Sequence, residues 1–212
     1  MNPFVVIPAF NEEKTIFDVV VNVRQIIKNI IVVDDCSTDD TYLLAQKAGA
    51  ITIKSNVNNG YDSALEKGFK YAASLNASSI LTFDADGQHP YEKIKDMIDL
   101  VESGQCQLAI GKRSKLPRVS EKLFSLISNY LFKVSDITCG MKCYHINLYK
   151  DHGAFSRRKS IGTELALRSI RNGVRFISLE IDVSNRIDAS RIGINLKSEI
   201  SFLKAAFFSC FF

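Results

Sequence analysis

"ILTFDADGQHP", residues 80–90, is an apolar run that stops at two carboxylates one residue apart, followed by glycine. A strand ending this way either turns a corner or presents charge to a ligand, and the surrounding stretches decide which. Four others resemble it: "FVVIP" (4–8), "NIIVVDD" (29–35), "AITIK" (50–54) and "QLAIG" (107–111). All are short, rich in β-branched residues and nearly continuous in apolar character, as in strands buried on both faces of a parallel sheet.

Between these strands the apolar period is helical. Ile16, Val19, Val20, Val23, Ile26 and Ile27 share one helix face. Ala64, Leu65, Gly68, Phe69 and Ala72 share a second, and Ile94, Met97, Ile98 and Val101 a third. "CSTDDT" (36–41) supplies N-caps for a helix over 42–48. Strand and helix alternating five times predict an α/β fold with a mostly parallel central sheet and right-handed crossovers. Ligands of such sheets bind beyond the carboxyl ends of the strands. There the sequence places "PAFNEE", "DDCSTDD", "NVNNG", "DADGQHP" and "GKRSK". Polar and acidic residues thus gather on one sheet edge, which is the expected site.

At 212 residues the chain suits a single domain with a sizeable core. The net charge of +4 is too mild to call for nucleic acid, which is not expected as a partner. Five cysteines without framework spacing read as reduced thiols of a cytoplasmic protein, and Cys139 and Cys143 lack the second pair a zinc site needs. The N-terminus has no signal-peptide pattern, and no segment reaches the ~20 apolar residues of a membrane span.

After residue 118 the pattern changes. Leu123, Leu126, Ile127, Tyr130, Leu131 and Val134 form a helical stripe, read first as core-facing and second as facing a membrane surface or a partner. A helix over 162–173 ended by Gly173 and a strand over 174–183 follow. The end, "FLKAAFFSCFF", is too short to span a bilayer. It suits either an interfacial position or docking on the domain or a second subunit. The expected organisation is a domain over 1–193 and an apolar tail over 194–212.

Two aspartates at i and i+2 of a strand end can both reach one hard cation. Magnesium or manganese takes about six oxygens, one or two from carboxylates and the rest from water and phosphate. "VVIPAFNEE", "IIVVDDCSTDDT", "NNGYDSALEKGF", "DADGQHP" and "IGKRS", in this order, resemble the family-2 glycosyltransferases of the GT-A (Rossmann-like) fold. "DADGQHP" and "SDITCGM" are most similar to the dolichol-phosphate mannose synthase-like branch. The resemblance is strong over residues 4–113 and looser to about 193. It implies a metal-dependent, inverting hexosyltransferase-type enzyme with a nucleotide-sugar donor. The acceptor would be a polyprenyl phosphate or a cell-surface glycan intermediate.

By that resemblance Pro8, Phe10, Glu12, Val33, Asp35, Asp84, Ala85 and Asp86 line the nucleotide site. Asp84, Asp86 and Gln88 are the implied ligands of Mg2+ or Mn2+, and Arg113 faces phosphate or sugar. Asp86, Asp136 and Glu164 are the catalytic candidates, the last two because a hydroxyl acceptor needs a base. A lipid phosphate is already an anionic nucleophile at neutral pH and needs cations instead; Arg186 and Arg191 are placed for that.

Two departures stand out. Asp62 replaces the second glycine of the usual N-x-G-x-G, and Cys36 stands where glycine is usual. They keep open the alternative of a non-catalytic, nucleotide-binding or scaffolding relative. A nucleotidylyltransferase would want a Gly-rich loop with lysine after the first strand, and "PAFNEE" has neither. The implied location is cytoplasmic, at the cytoplasmic face of a membrane, with an oligomer through the tail as a further expectation.

Overall fold

The computed structural model describes residues 1–116, 118–156 and 161–184. At its centre lies β1 (Phe4–Ala9), buried along its whole length. It pairs in parallel with β2 (Ile30–Asp34) on one side and β4 (Ser79–Thr82) on the other. β3 (Ile51–Lys54) adds in parallel beyond β2. β5 (Leu108–Arg113), β6 (Lys142–His145) and β7 (Phe176–Ile181) complete a seven-stranded sheet of order β3-β2-β1-β4-β6-β5-β7.

The strand pleat explains two apolar layers. Phe4 and Val6 of β1 point into one, Val5 and Ile7 into the other. The second layer is covered by α1 (Ile16–Arg24), α2 (Thr41–Lys47) and α4 (Lys93–Glu102). The first is covered by α3 (Tyr61–Ser74) and by α6 (Ile146–His152) and α7 (Glu164–Arg171). Ala64, Leu65, Gly68, Phe69 and Ala72 of α3 are all buried, as their spacing predicts. Gly68 is needed because a Cβ there would lie 2.3 Å from Val6 Cγ1. That close approach sets α3 directly on β1 and aims its N-terminus at the end of β4.

The structure adds one strand to that reading and departs from it in three places. First, β6, which the sequence did not announce, is antiparallel and lies between β4 and β5 in a sheet that is otherwise parallel. "KCYH" is too short to announce itself by alternation. Second, β3 is an edge strand with Ile51 exposed, rather than buried on both faces. Third, Ile26 falls just beyond α1 and is exposed.

The fourth concerns α5 (Val119–Phe132), which packs with its polar face inward. Ser120, Glu121, Phe124 and Ser128 are buried, while Leu123, Leu126, Ile127, Tyr130 and Leu131 are exposed. Only Val134, just past the helix, fits the core-facing reading. The reason is local: Ser128 Oγ donates to Val134 O at 2.8 Å and Ser125 Oγ to Ser135 O, which ties the inner face to the chain that follows. No described helix is long and apolar enough to cross a membrane.

Candidate active site

The turns after β1, β2 and β4 are laced together. Asn11, with φ of 54°, receives Thr38 N–H on Oδ1 at 2.9 Å and donates its own N–H to Ser37 Oγ at 2.9 Å. Glu12 N–H donates to Thr41 Oγ1 at 2.7 Å. Thr15 Oγ1 crosses to Ala85 O at 2.8 Å, joining these turns to the two-aspartate turn after β4. The site is therefore built on backbone ends fixed by their neighbours.

The two aspartates differ sharply. Asp86 is half-buried, and its Oδ1 accepts the Gln88 N–H at 3.1 Å. Gly87, with φ of 73°, makes the turn that allows this bond. Asp84 is gripped: Tyr61 Oη donates to Oδ1 at 3.0 Å, and His89 Nε2 meets Oδ2 at 2.9 Å. Burial alone would raise Asp84, but the His89 and Tyr61 bonds and the charge of Lys142 outweigh it and hold the carboxyl below its ordinary range. Burial and the Asp84 charge push Tyr61 well up, so it is a firm donor. His89 is 5% exposed, and its Nδ1 has no hydrogen-bond partner among the described residues.

Gly140 walls the other side of Asp84. A Cβ there would lie 2.0 Å from Asp84 Oδ2. Because the carboxylate is pinned by two donors, it has no easy retreat. Gly140→Ala should therefore weaken Mn2+ binding about tenfold or more and cost about 1–3 kcal/mol of stability, read by metal titration and urea unfolding.

The donor set suits a hard cation. Asp84 and Asp86 offer carboxylate oxygens. Gln88 Nε2 is spent on Ser184 O at 2.8 Å, which leaves the amide oxygen for a ligand. Among the described residues no three of His, Cys, Asp and Glu cluster as a metal cage. Magnesium and manganese do not require one, since they take one or two carboxylates and fill out with phosphate and water.

Arg113, at the end of β5, is held by Asp136 from two sides. Its Nε donates to Asp136 Oδ2 at 2.8 Å and its Nη2 to Oδ1 at 2.9 Å. Its backbone N–H adds a bond to Oδ2 at 3.0 Å, and Thr138 Oγ1 donates to Oδ1 at 3.0 Å. Nη2 also reaches Glu121 Oε2 of α5 at 3.2 Å. Burial would raise Asp136, but the Arg113 and Thr138 bonds win and keep it below the ordinary carboxylate range. A carboxylate with every direction engaged and a lowered pKa is a poor proton acceptor. The geometry fits a clamp on Arg113 better than the base expected from sequence.

Lys142 of β6 is buried, and burial lowers its pKa. Its Nζ donates to Cys139 O and, at 3.2 Å, to Gly162 O. Asp62 accepts the N–H groups of Ile161 at 2.9 Å and of Gly162 at 2.5 Å. The residue that departs from glycine thus anchors the turn leading into α7. Asp62→Ala should cost about 2 kcal/mol, seen as a lower urea midpoint, with Asn recovering part of it.

The other expected site residues divide. Phe10 is half-buried where β1 ends. Pro8 pairs with Val33 inside the sheet, and the Val33 side chain is fully buried beneath α3. Asp35 is 3% exposed and accepts Asn59 N–H at 3.2 Å and Gly60 N–H at 2.6 Å, shaping the approach to α3. Its neighbour Asp34 keeps a buried Oδ2 without a partner among the described residues. Glu12 and Ala85 are buried. Glu164 sits with Ser156, His152 and Arg168 at the start of α7. Arg186, Arg191 and the tail over 194–212 lie outside the described residues. Tyr61, His89, Gly140, Lys142 and Glu121 were not expected. His89 stood inside the quoted "DADGQHP" and Gly140 inside "SDITCGM", but their contacts with Asp84 arise only in three dimensions.

Comparison with known proteins gives consistent results. The model of the family described as Glycosyl transferase family 2 matches residues 4–161. A UDP-N-acetylglucosamine–dolichyl-phosphate N-acetylglucosaminyltransferase of Methanococcus voltae is 35% identical over 133 residues, 54% of this chain and 53% of that one. A polyprenol monophosphomannose synthase of Mycolicibacterium smegmatis is 27% identical over 227 residues, covering 96% and 83%. The chain spans about half the length of the first curated relatives it matches. Glucosyl-3-phosphoglycerate synthase of Mycobacterium tuberculosis, solved with Mn2+, uridine diphosphate and glucosyl-3-phosphoglycerate, superposes with a TM-score of 0.78 at 18% identity, covering 99% of this chain and 80% of that one. At that identity the likeness shows the fold, which is the GT-A arrangement expected from the sequence.

Proposed function

The chain belongs to glycosyl transferase family 2, and from that premise we propose that it moves a sugar, with inversion, from a nucleotide-sugar donor to a membrane-borne polyprenyl phosphate. One observation carries the reading. The paired aspartates after β4 share a sheet edge with a half-buried arginine that three oxygen-bearing side chains hold in place. Such an edge is suited to a diphosphate on one side and a phosphate on the other.

Asp84 and Asp86, with the amide oxygen of Gln88, would hold Mg2+ or Mn2+. That cation supplies neutralisation of the charge growing on the departing diphosphate. Tyr61, His89 and Gly140 fix Asp84 before substrate arrives, so little is spent on reorganisation. In the transfer, an oxygen of the lipid phosphate forms its bond to the anomeric carbon as the bond to the nucleoside diphosphate breaks. A phosphate dianion is its own nucleophile, so no proton has to be removed. Arg113 orients it, and Asp136 and Glu121 keep Arg113 from collapsing onto the leaving group. Glu164 has a structural part at the start of α7. The relatives' acceptors, dolichyl phosphate and polyprenol phosphate by their names, support the choice of lipid over soluble sugar.

A thermal-shift panel of nucleoside diphosphates, with and without Mn2+, tests the donor side on the wild type and Asp86→Asn. A ligand at 100 times its dissociation constant adds about 2.7 kcal/mol. A shift that needs Mn2+, favours one nucleotide and vanishes in Asp86→Asn is the expected result. A folded protein that shifts with none overturns the reading in favour of a non-catalytic relative.

A further inference from the structure

We infer that the outward face of α5 is the surface by which this protein rests on an anionic lipid layer. The observation is the inverted helix. Val119 is 78% exposed, Leu126 69% and Tyr130 81%, all on one stripe, while Ser120 and Ser128 face the core. A helix whose only neighbours were protein and water would be turned the other way. Its outer stripe therefore matches an apolar environment that the described residues do not supply.

Charge selects the occupant. Within 114–135 the exposed charged residues are Lys115, Lys122 and Lys133, and the one acid of the helix, Glu121, is buried against Arg113. Apolar side chains flanked by lysines and free of exposed acids suit an interface that is oily inside and negative at its rim. Tyr130 adds an apolar ring with a polar tip, which favours the boundary layer.

Position adds a functional reason, and this part rests on the proposed lipid-phosphate acceptor. The inner face of α5 carries Glu121 to Arg113, so the lipid-facing stripe and the arginine for the phosphate lie one helix thickness apart, about 10 Å. A lipid phosphate could meet Arg113 while its chain stays in the layer.

The test uses the full chain with vesicles of phosphatidylcholine alone or mixed with phosphatidylglycerol, and no acceptor lipid. The wild type should co-sediment with the mixed vesicles, less at high salt and less with phosphatidylcholine alone. Leu126→Glu combined with Tyr130→Glu should lower the bound-to-free ratio at least about tenfold, with an unchanged melting temperature. Lys122→Glu with Lys133→Glu should weaken binding to the mixed vesicles only. No vesicle binding by the wild type overturns the inference. So does equal binding by the Leu126/Tyr130 variant, which would shift attachment to the apolar 194–212 segment. A wild-type dimer that the variant turns into a monomer, without vesicle binding, also overturns it and makes a second copy the occupant. Nucleotide shifts on the same preparations separate the two ideas: shifts without vesicle binding remove the docking face alone, and the converse removes the donor reading alone.

Discussion

Asp86→Ala should lower sugar transfer about a thousandfold while leaving the unliganded protein's melting temperature within a few degrees of wild type. Asp86 is half-buried on a turn, so losing its carboxylate disturbs little packing. The loss falls on the transition state, where charge on the leaving diphosphate goes uncompensated. Asp84→Ala should instead cost both rate and stability, because Tyr61 and His89 lose their shared acceptor. Steady-state rates over a Mn2+ titration, with melting curves for both variants, check the contrast. Equal loss of stability in the two would contradict the division of labour drawn from their contacts.

Asp136→Ala should be the most destabilising single change at the site. Arg113 would be left with Glu121 alone among the described carboxylates, and stripping a buried guanidinium of its principal partner costs roughly 3–5 kcal/mol, about 10 °C of melting temperature at this chain length. The side chains of the pair are 14% and 2% exposed, so solvent screens it little. Asp136→Asn keeps the shape and should recover part of the stability. If that variant also retains substantial transfer to a lipid phosphate, Asp136 clamps Arg113; total loss of turnover with normal stability and nucleotide binding would restore it as a base.

The pair also predicts a pH response. The Asp136 pKa is lowered on folding, so its contribution is present in full above the unfolded carboxylate's value of about 4. It is lost as pH falls through the folded value. Wild-type stability should therefore drop on the acid side more steeply than that of Asp136→Asn, as urea midpoints across pH 2–6, roughly, would register.

Much of this was readable in the sequence where the signal is periodic. The faces of α3 and α4 and the strands ending in "PA", "VD" and "LT" follow from apolar spacing alone, because one buried layer imposes one period. The three-dimensional part was not. Nothing local in "GMKCY" tells that Lys142 is buried or that β6 runs backwards between β4 and β5. α5 misled because hydrophobic spacing specifies a face but not what covers it, and buried serines bonded to backbone carbonyls look polar in sequence. Asp62 read as a lost glycine; its partners, the amides of 161 and 162, lie about a hundred residues on.

The inserted strand also bears on how the chain matures. β3, β2, β1 and β4 come from the first 82 residues and pair with one another in parallel. The edge of β4 must then wait for residues 142–145, which bring Gly140 against Asp84 and seat Thr82 Oγ1 on Gly140 O at 2.6 Å. At ribosomal speeds of about 5–20 residues per second the delay is on the order of several seconds. During that interval the nascent chain carries an open, apolar strand edge next to its two aspartates, the feature of a folding intermediate most prone to pair with a neighbour. The strand that finishes the site is thus also the one that covers the open edge of β4.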